Sequence, residues 1–128
     1  MSLVFIYGTL KQGHINSHYL ESAVFKGITQ TKNSVYKMLA VTSYNYPYPV
    51  MMEGGTGAIE GELYEMHDDL IQFLDDFEGI EYERRLITLR DGQDAYGYIG
   101  REFRGYIETH KQILYDLDCK LYNWQKGD

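Results

Sequence analysis

Residues 67–79, HDDLIQFLDDFEG, contain the clearest helical pattern in the chain. The apolar positions recur three and four residues apart, as they do along one face of an α-helix, at Leu70, Ile71, Leu74 and Phe77. Gly79 is expected to end the helix, so the predicted span is 68–78. At about 100° per residue, Glu78 lies within roughly 20° of Ile71 around the helix axis. We therefore expect one carboxyl group of this helix to face the apolar core.

This position makes Glu78 a candidate general acid/base. A carboxyl group beside apolar atoms favours its neutral form, so its pKa rises toward the range in which it can take up and return a proton. The simpler alternative is an ordinary surface glutamate, because the end of a helix can fray and release the side chain into water. The helical pattern by itself leaves both readings open.

A second candidate region lies near the N-terminus. Residues 3–7, LVFIY, form an apolar run typical of a strand, and they are followed by the glycine-bounded segment 8–13. Asn16 or Ser17 can cap a short helix after this segment. A strand, a glycine-containing loop and a helix start can present backbone N–H groups to an anion. The loop has neither GxGxxG nor GxxxxGK[ST], so the pattern does not favour a nucleotide.

The remaining pattern predicts an α+β fold, with more strand than helix. We expect strands at roughly 2–7, 23–31, 34–42, 57–65, 84–90 and 94–100. We expect helices near 16–21, 68–78 and 107–123, the last from the spacing of Ile113, Leu117, Leu121 and Trp124. Prolines 47 and 49 predict an irregular stretch over 44–49, whose tyrosines either pin the loop or line a pocket. No repeat or linker interrupts the chain, so one domain over 1–128 is expected.

The composition and net charge argue against several classes of function. A formal net charge of −7 over 128 residues, with scattered Lys and Arg, does not favour nucleic-acid binding. The chain has a single cysteine, Cys119, and no apolar run of the roughly 18 to 20 residues that span a bilayer. We therefore expect a protein of the reducing cytoplasm, with no membrane partner.

Four segments carry a resemblance to a known family. They are YGTLK at 7–11 with Gly13 and Asn16, EGELY at 60–64, FLDDFE at 73–78, and YER at 82–84. In order and spacing they resemble the gamma-glutamylcyclotransferase-like family, most nearly its gamma-glutamylamine cyclotransferase branch and small bacterial relatives. Only residues 79–81 separate Glu78 from the Tyr-x-Arg motif, which is similar to the bacterial members. The resemblance fades after Tyr98.

The resemblance implies a mixed, β-barrel-like sheet of about six strands flanked by helices. It also implies a small-molecule gamma-glutamyl substrate, an amine or an amino acid conjugate, and no cofactor or metal. In such a reaction the substrate's α-amine attacks its own γ-carbonyl, closing 5-oxoproline and releasing the amine. Glu78 corresponds to the catalytic acid/base. The resemblance assigns substrate binding to Tyr7, Gly8, Thr9, Leu10, Asn16, Tyr82 and Arg84.

Two other classes of function stay open at this point. The same scaffold can serve as a binding module for an amino-acid-like molecule, without turnover. A metal-dependent hydrolase is the other, because His14, His18 and Glu21 would stack along one helix face. Asn16 and Ser17 count against that helix, since both favour caps over helix interiors. The sequence does not define the leaving amine or the oligomeric state.

Overall fold

The computed structural model describes residues 1–101 and 105–127. Within these ranges the chain forms nine strands, one α-helix and one 3₁₀ helix, Ser17–Leu20. The strands are β1 Ser2–Ile6, β2 Val24–Gln30, β3 Tyr36–Val41, β4 Tyr48–Glu53, β5 Ala58–Met66, β6 Tyr82–Thr88, β7 Asp94–Gly100, β8 Ile113–Asp116 and β9 Leu121–Trp124. The α-helix, α1, covers Asp68–Glu78.

Strand β1 lies near the middle of a mixed sheet. The strand order is β3-β4-β7-β1-β5-β9-β8, with β2 also paired to β5 and β6 to β7. β1 runs antiparallel to β5 and parallel to β7. The strands at the two ends of this order, β3 and β8, contact each other, so the sheet curves into a nearly closed barrel. The loop after β1 therefore emerges from the centre of the fold.

The side chains of β1 alternate between two apolar clusters. Phe5 belongs to the cluster that includes Met51, Leu89 and Trp124. Val4 and Ile6 belong to the other, which β1 shares with α1 and which is built by residues such as Leu10, Ile71, Leu74 and Tyr98. This alternation follows from the two-residue period of a strand, whose successive side chains point to opposite faces. The cluster shared with α1 holds the helix on the sheet.

The bounds predicted for α1 are confirmed. Asp68 and Asp69 occupy its first turn, where carboxylates favour the positive end of the helix dipole. Ile71 and Leu74 are buried, as the apolar spacing predicted. Gly79 ends the helix with a φ of 75°, a conformation that glycine adopts without steric cost. No helix in the described ranges is long and apolar enough to cross a membrane.

The helix predicted over 107–123 is wrong, because that region forms the hairpin β8–β9. β9 runs parallel to β5, and Trp124 is buried in the barrel. Leu117, counted as a core position of the helix, lies in the turn and is 79% exposed. The turn is held by the carboxylate of Asp116, which accepts hydrogen bonds from the N–H groups of residues 118 and 119. Isoleucine, tyrosine and tryptophan favour strands, and pairing with β5 decides the outcome.

Two further boundaries differ from the sequence prediction. Strand β4 was not predicted, yet Pro49 lies at its second position and the strand pairs with both β3 and β7. Proline is tolerated near the start of a strand, so it restricted the segment less than expected. Residues 16–21 form only the short 3₁₀ helix. The α+β class and the barrel-like mixed sheet are confirmed, with more strands and fewer helices than predicted.

Candidate active site

A cavity of about 470 Å³ opens where β1, α1 and the start of β4 meet. It is lined by residues 5–10 at and after the end of β1, 44–46, 48 and 49 before and in β4, 77–82 in and after the last turn of α1, and Tyr98 of β7. Six residues that the sequence singled out line it together, namely Tyr7, Gly8, Thr9, Leu10, Glu78 and Tyr82. Motifs far apart in sequence thus contribute to one site.

Glu78 supplies a carboxyl group to this cavity. The residue is half-buried, and burial raises the pKa of its carboxyl to about 8. No side chain of the described residues donates a hydrogen bond to it, so nothing offsets the cost of removing its charge from water. Neither of its two oxygens is fully buried, because no fully buried side-chain oxygen in the described ranges lacks a partner. Glu78 therefore places a carboxyl group with a raised pKa at the wall of the cavity.

Two of the tyrosines around Glu78 are tied to the backbone. The Tyr7 hydroxyl donates to the carbonyl oxygen of Tyr98 at 2.6 Å and accepts from the N–H of Met51 at 3.1 Å. The Tyr82 hydroxyl donates to the carbonyl oxygen of Pro49 at 2.7 Å. Burial is the main cause that raises the pKa of Tyr7 and Tyr82, and the Glu78 carboxyl adds to the effect. Both phenols are neutral and hold strands together.

The loop after β1 carries three unpaired backbone donors. Its turn is closed by a hydrogen bond from the Lys11 N–H to the Gly8 carbonyl oxygen, at 3.1 Å. The N–H groups of Gly8, Thr9 and Leu10 donate to no atom of the described residues. These three residues line the cavity beside Glu78. Consecutive free N–H groups are suited to bind a carboxylate or an oxyanion.

Asn16 does not line the cavity but orders two parts of its wall. Its side-chain N–H₂ group donates to the Thr9 hydroxyl at 3.0 Å and to the Tyr46 hydroxyl at 3.1 Å. Its backbone N–H donates to the Thr9 carbonyl oxygen at 2.9 Å. Asn16 thus joins the N-terminal loop to the tyrosine-rich segment 44–49, and the structure supports a role in shaping the site.

The tyrosine-rich segment forms an aromatic wall of the cavity, and the carboxylate of Glu81 binds two of its tyrosines. The Glu81 carboxylate accepts a hydrogen bond from Tyr48 at 2.6 Å and one from Tyr44 at 3.3 Å. Glu81 was not predicted as a site residue, although it follows Glu78 by only three positions. Tyr98 was also missed, since its place in a strand predicted only sheet packing.

Lys11 connects the same loop to the last strand. Its side chain is buried, and its ammonium group donates to the carbonyl oxygen of Trp124 at 2.7 Å. Burial lowers the pKa of this group, while the nearby carboxylates of Glu62 and Glu60 raise it. The charge is therefore satisfied inside the fold and does not reach the cavity.

Arg84 does not line the cavity. Its guanidinium Nε lies 3.3 Å from the Asp75 carboxylate, and the group stacks over the Tyr96 ring at 4.7 Å from the ring centre. These contacts lie in a separate shallow, polar groove that also includes Ser2 and Gln72. The sequence-based assignment of Arg84 to substrate binding has no direct contact to support it.

The histidines considered as metal ligands do not form a cluster. Within the part of the chain that the structure describes, no three His, Cys, Asp or Glu side chains are placed to hold a metal ion together. His14 lies outside the 3₁₀ helix that contains His18, because that helix starts after Asn16. Burial and the positive charges of Lys11 and Lys126 lower the pKa of His14 to about 4. His14 is therefore neutral at physiological pH.

Comparison with known proteins identifies relatives of this chain. A family model described as gamma-glutamyl cyclotransferase, AIG2-like, matches residues 4–126 and so extends beyond the segments in which the resemblance was visible. The human gamma-glutamylaminecyclotransferase is 33% identical over 97 residues, and the rat protein of that name is 34% identical over 99. The alignments cover 70% of this chain in both cases. They span only 63% and 64% of the relatives' own length.

Solved structures share the fold. The crystal structure of an AIG2-like protein from Mus musculus superposes with a TM-score of 0.67 and 25% identity, covering 100% of this chain and 99% of that one. A Kluyveromyces lactis allophanate hydrolase reaches a TM-score of 0.74 at 16% identity, over 87% of this chain and 20% of its own, which shows a common fold alone. The nearly closed barrel with one helix is the architecture of these proteins. The chain belongs to the gamma-glutamyl cyclotransferase, AIG2-like family.

Proposed function

We propose that this protein is a cyclotransferase that acts on a gamma-glutamyl amine or a gamma-glutamyl amino acid and releases 5-oxoproline and the free amine. The observation that carries the proposal is the juxtaposition of the Glu78 carboxyl with the free N–H groups of residues 8–10 in one cavity. One group exchanges protons and the other binds negative charge. The names of the relatives support the same reaction class.

Glu78 would serve as the single acid/base. The substrate's α-amine starts as an ammonium group and attacks only after it loses a proton. Burial raises the pKa of the Glu78 carboxyl to about 8. A carboxyl with a pKa in this range can take the proton from the ammonium group and later return it. The same carboxyl then delivers the proton to the nitrogen that leaves.

Ring closure needs no nucleophile from the protein. The amine nitrogen forms a bond to the γ-carbonyl carbon, the carbonyl oxygen takes up negative charge, and the γ-amide C–N bond breaks as that oxygen re-forms its double bond. Both reacting groups belong to one molecule, so the enzyme's task is to hold a folded conformer. The free N–H groups of Gly8, Thr9 and Leu10 would stabilise either the oxyanion or the α-carboxylate of the substrate.

The leaving amine would lie against the aromatic wall. This side of the cavity presents Tyr44, Tyr46 and Tyr48, with the Glu81 carboxylate between two of them. Among the described lining residues the ionisable acids are Glu78 and Glu81, and no lysine or arginine is present. Such a wall favours an amine without a negative charge over an amino acid whose carboxylate approaches Glu81.

The test is a panel of gamma-glutamyl conjugates in which only the amine part changes. A neutral alkylamine, an α,ω-diamine and an α-amino acid are each incubated with the protein, and 5-oxoproline is measured by mass spectrometry. We expect 5-oxoproline from at least one conjugate, with the amino acid conjugate slowest. Binding of these compounds without any 5-oxoproline would instead support a non-catalytic binding module for an amino-acid-like molecule.

A further inference from the structure

The last turn of α1 is fastened to the sheet by the side chain of Asp75. The Tyr98 hydroxyl of β7 donates to Asp75 Oδ1 at 2.7 Å, and Arg84 of β6 places its Nε 3.3 Å from the same oxygen. Asp75 precedes Glu78 by three residues, so the two side chains leave the helix on neighbouring sides. We propose that Asp75 is a positioning residue which, through Tyr98 and Arg84, holds the Glu78 carboxyl in the cavity. This inference rests on the proposed function of Glu78.

The backbone of Asp75 belongs to the same anchor. Its carbonyl oxygen accepts the hydrogen bond from the Gly79 N–H, at 3.2 Å, which closes the final turn of the helix. Gly79 then leaves the helical conformation. Glu78 is therefore the last helical residue, and the turn that carries it is secured at Asp75 through both main chain and side chain. Terminal turns without such contacts fray.

The charges of the last turn of α1 favour an anchor that includes a cation. The last turn of α1 contains Asp75, Asp76 and Glu78 and no basic residue. Negative charge at a helix C-terminus opposes the helix dipole. Arg84, from the neighbouring strand, supplies the cation that the helix itself lacks. The pair is partly exposed, so its direct contribution to stability is small, and its role is to orient the Asp75 carboxylate.

Tyr98 connects the anchor to the cavity. Its ring lines the cavity, its hydroxyl binds Asp75, and its carbonyl oxygen accepts the hydrogen bond from Tyr7. The groups that feel the charge of Glu78 are the phenols of Tyr7 on β1, Tyr82 on β6 and Tyr98 on β7. The phenols are neutral, so the orientation and hydration of the carboxyl govern its titration.

The first test compares Asp75→Ala with Asp76→Ala. Both remove one negative charge from the last turn, but Asp76 is exposed and has no part in the anchor. With an active conjugate at a pH above the Glu78 midpoint, we expect Asp75→Ala to lower kcat by roughly 10-fold, less than the roughly 10² to 10⁴-fold of a full acid/base contribution, while KM changes little. Asp76→Ala should change neither. Equal kcat values for the two folded variants would overturn the proposal.

The second test does not need turnover. The ¹³C chemical shift of the Glu78 carboxyl is followed against pH in the wild type, in Tyr98→Phe and in Asp75→Ala. Tyr98→Phe breaks the anchor without changing any charge. A loosened turn admits water, so we expect the midpoint to move down by about one pH unit or more in both variants. An unchanged midpoint in the folded variants would show that Asp75 has only a structural role.

Arg84 is tested by Arg84→Met against Arg85→Met. Arg85 pairs with Glu53 and Glu83 on the outer surface and serves as a matched control. A lower kcat together with a lower titration midpoint of Glu78 in Arg84→Met would support a positioning role for Arg84. Arg84→Lys should then restore part of the lost kcat. A raised KM with the midpoint intact would make Arg84 a substrate ligand instead. A wild type that shows the high midpoint but no turnover would refute the proposed function and leave the anchor standing.

Discussion

Gly8 packs directly against the ring of Pro49. A methyl group at position 8 would lie 2.9 Å from Cγ and 3.1 Å from Cδ of this proline. The family resemblance assigned Gly8 to substrate binding. The structure shows close approach to Pro49, and Gly8 is not among the residues with positive φ.

We therefore expect Gly8→Ala to impair the site by displacing Pro49. The proline ring is rigid, so the new Cβ atom forces the N-terminal loop and β4 apart. Because the Pro49 carbonyl accepts the Tyr82 hydrogen bond, the cavity wall shifts with it. KM for the active conjugate should rise while the fold persists, as measured by steady-state kinetics and thermal melting. The double variant Gly8→Ala/Pro49→Ala removes the clash and should recover much of the loss. Normal KM in Gly8→Ala would show that the loop does not contact substrate.

Glu78→Gln should abolish most turnover. Glutamine keeps the size and hydrogen-bonding capacity of the side chain but cannot exchange the proton, so the rate should fall by roughly 10² to 10⁴-fold. Substrate affinity, measured by calorimetry, should change far less. An active and folded Glu78→Gln protein would remove the acid/base role from this residue.

The same substitution should change the dependence of stability on pH. In the folded protein the pKa of Glu78 is about 8, against an ordinary value of 4.5, so the folded state holds this proton more tightly than the unfolded state. Below pH 4.5 the Glu78 carboxyl is protonated in both the folded and the unfolded state, so it does not reduce the free energy of unfolding. Between pH 4.5 and 8 the unfolded state releases the proton first, so the free energy of unfolding falls as pH rises. The free energy of unfolding of Glu78→Gln, measured by chemical denaturation, should equal that of the wild type at low pH. Its excess over the wild type should then grow as pH rises to 8. A stability difference that does not vary with pH would contradict the raised pKa.

The rate should depend on the same group. If Glu78 must be ionised to accept the ammonium proton, kcat/KM, which reports ionisations of the free enzyme, should increase with pH through a midpoint near 8. The residual activity of Glu78→Gln should lack this midpoint. A wild-type profile that is flat from pH 6 to 9 would assign the proton transfer to another group.

Turnover should survive chelation. The nucleophile is the substrate's own amine, and the His14, His18 and Glu21 side chains do not converge in the described structure. We expect equal rates with and without a strong chelator, and in the double variant His14→Gln/His18→Gln. Loss of activity in chelator with recovery on adding zinc would revive the metal-dependent alternative.

Local patterns predicted the parts of the site that depend on one segment. The helical spacing around Leu74 gave both the bounds of α1 and the direction of Glu78. The apolar run and the glycines of residues 3–13 predicted a strand followed by a loop, and that loop lines the cavity. Both patterns involve residues that are close in sequence, so the sequence alone is sufficient to recognise them.

Long-range pairing decided what the sequence did not reveal. β4 pairs in parallel with β7, where Met51 faces Ile99, and β9 pairs in parallel with β5. Neither contact leaves a local periodic signal, so a strand was missed and a hairpin was assigned to a helix. The hydroxyl of Tyr7 is likewise engaged by backbone groups from β4 and β7, which local spacing cannot show.

The bond from Lys11 to the carbonyl oxygen of Trp124 makes the loop after β1 depend on β9. A polypeptide that stops short of residue 124 would leave the Lys11 ammonium group without its acceptor, at a cost that favours local rearrangement. We therefore expect the loop after β1 to reach its final geometry only once β9 is in place. Shortened translation products should remain inactive even though they contain Glu78 and every residue that lines the cavity.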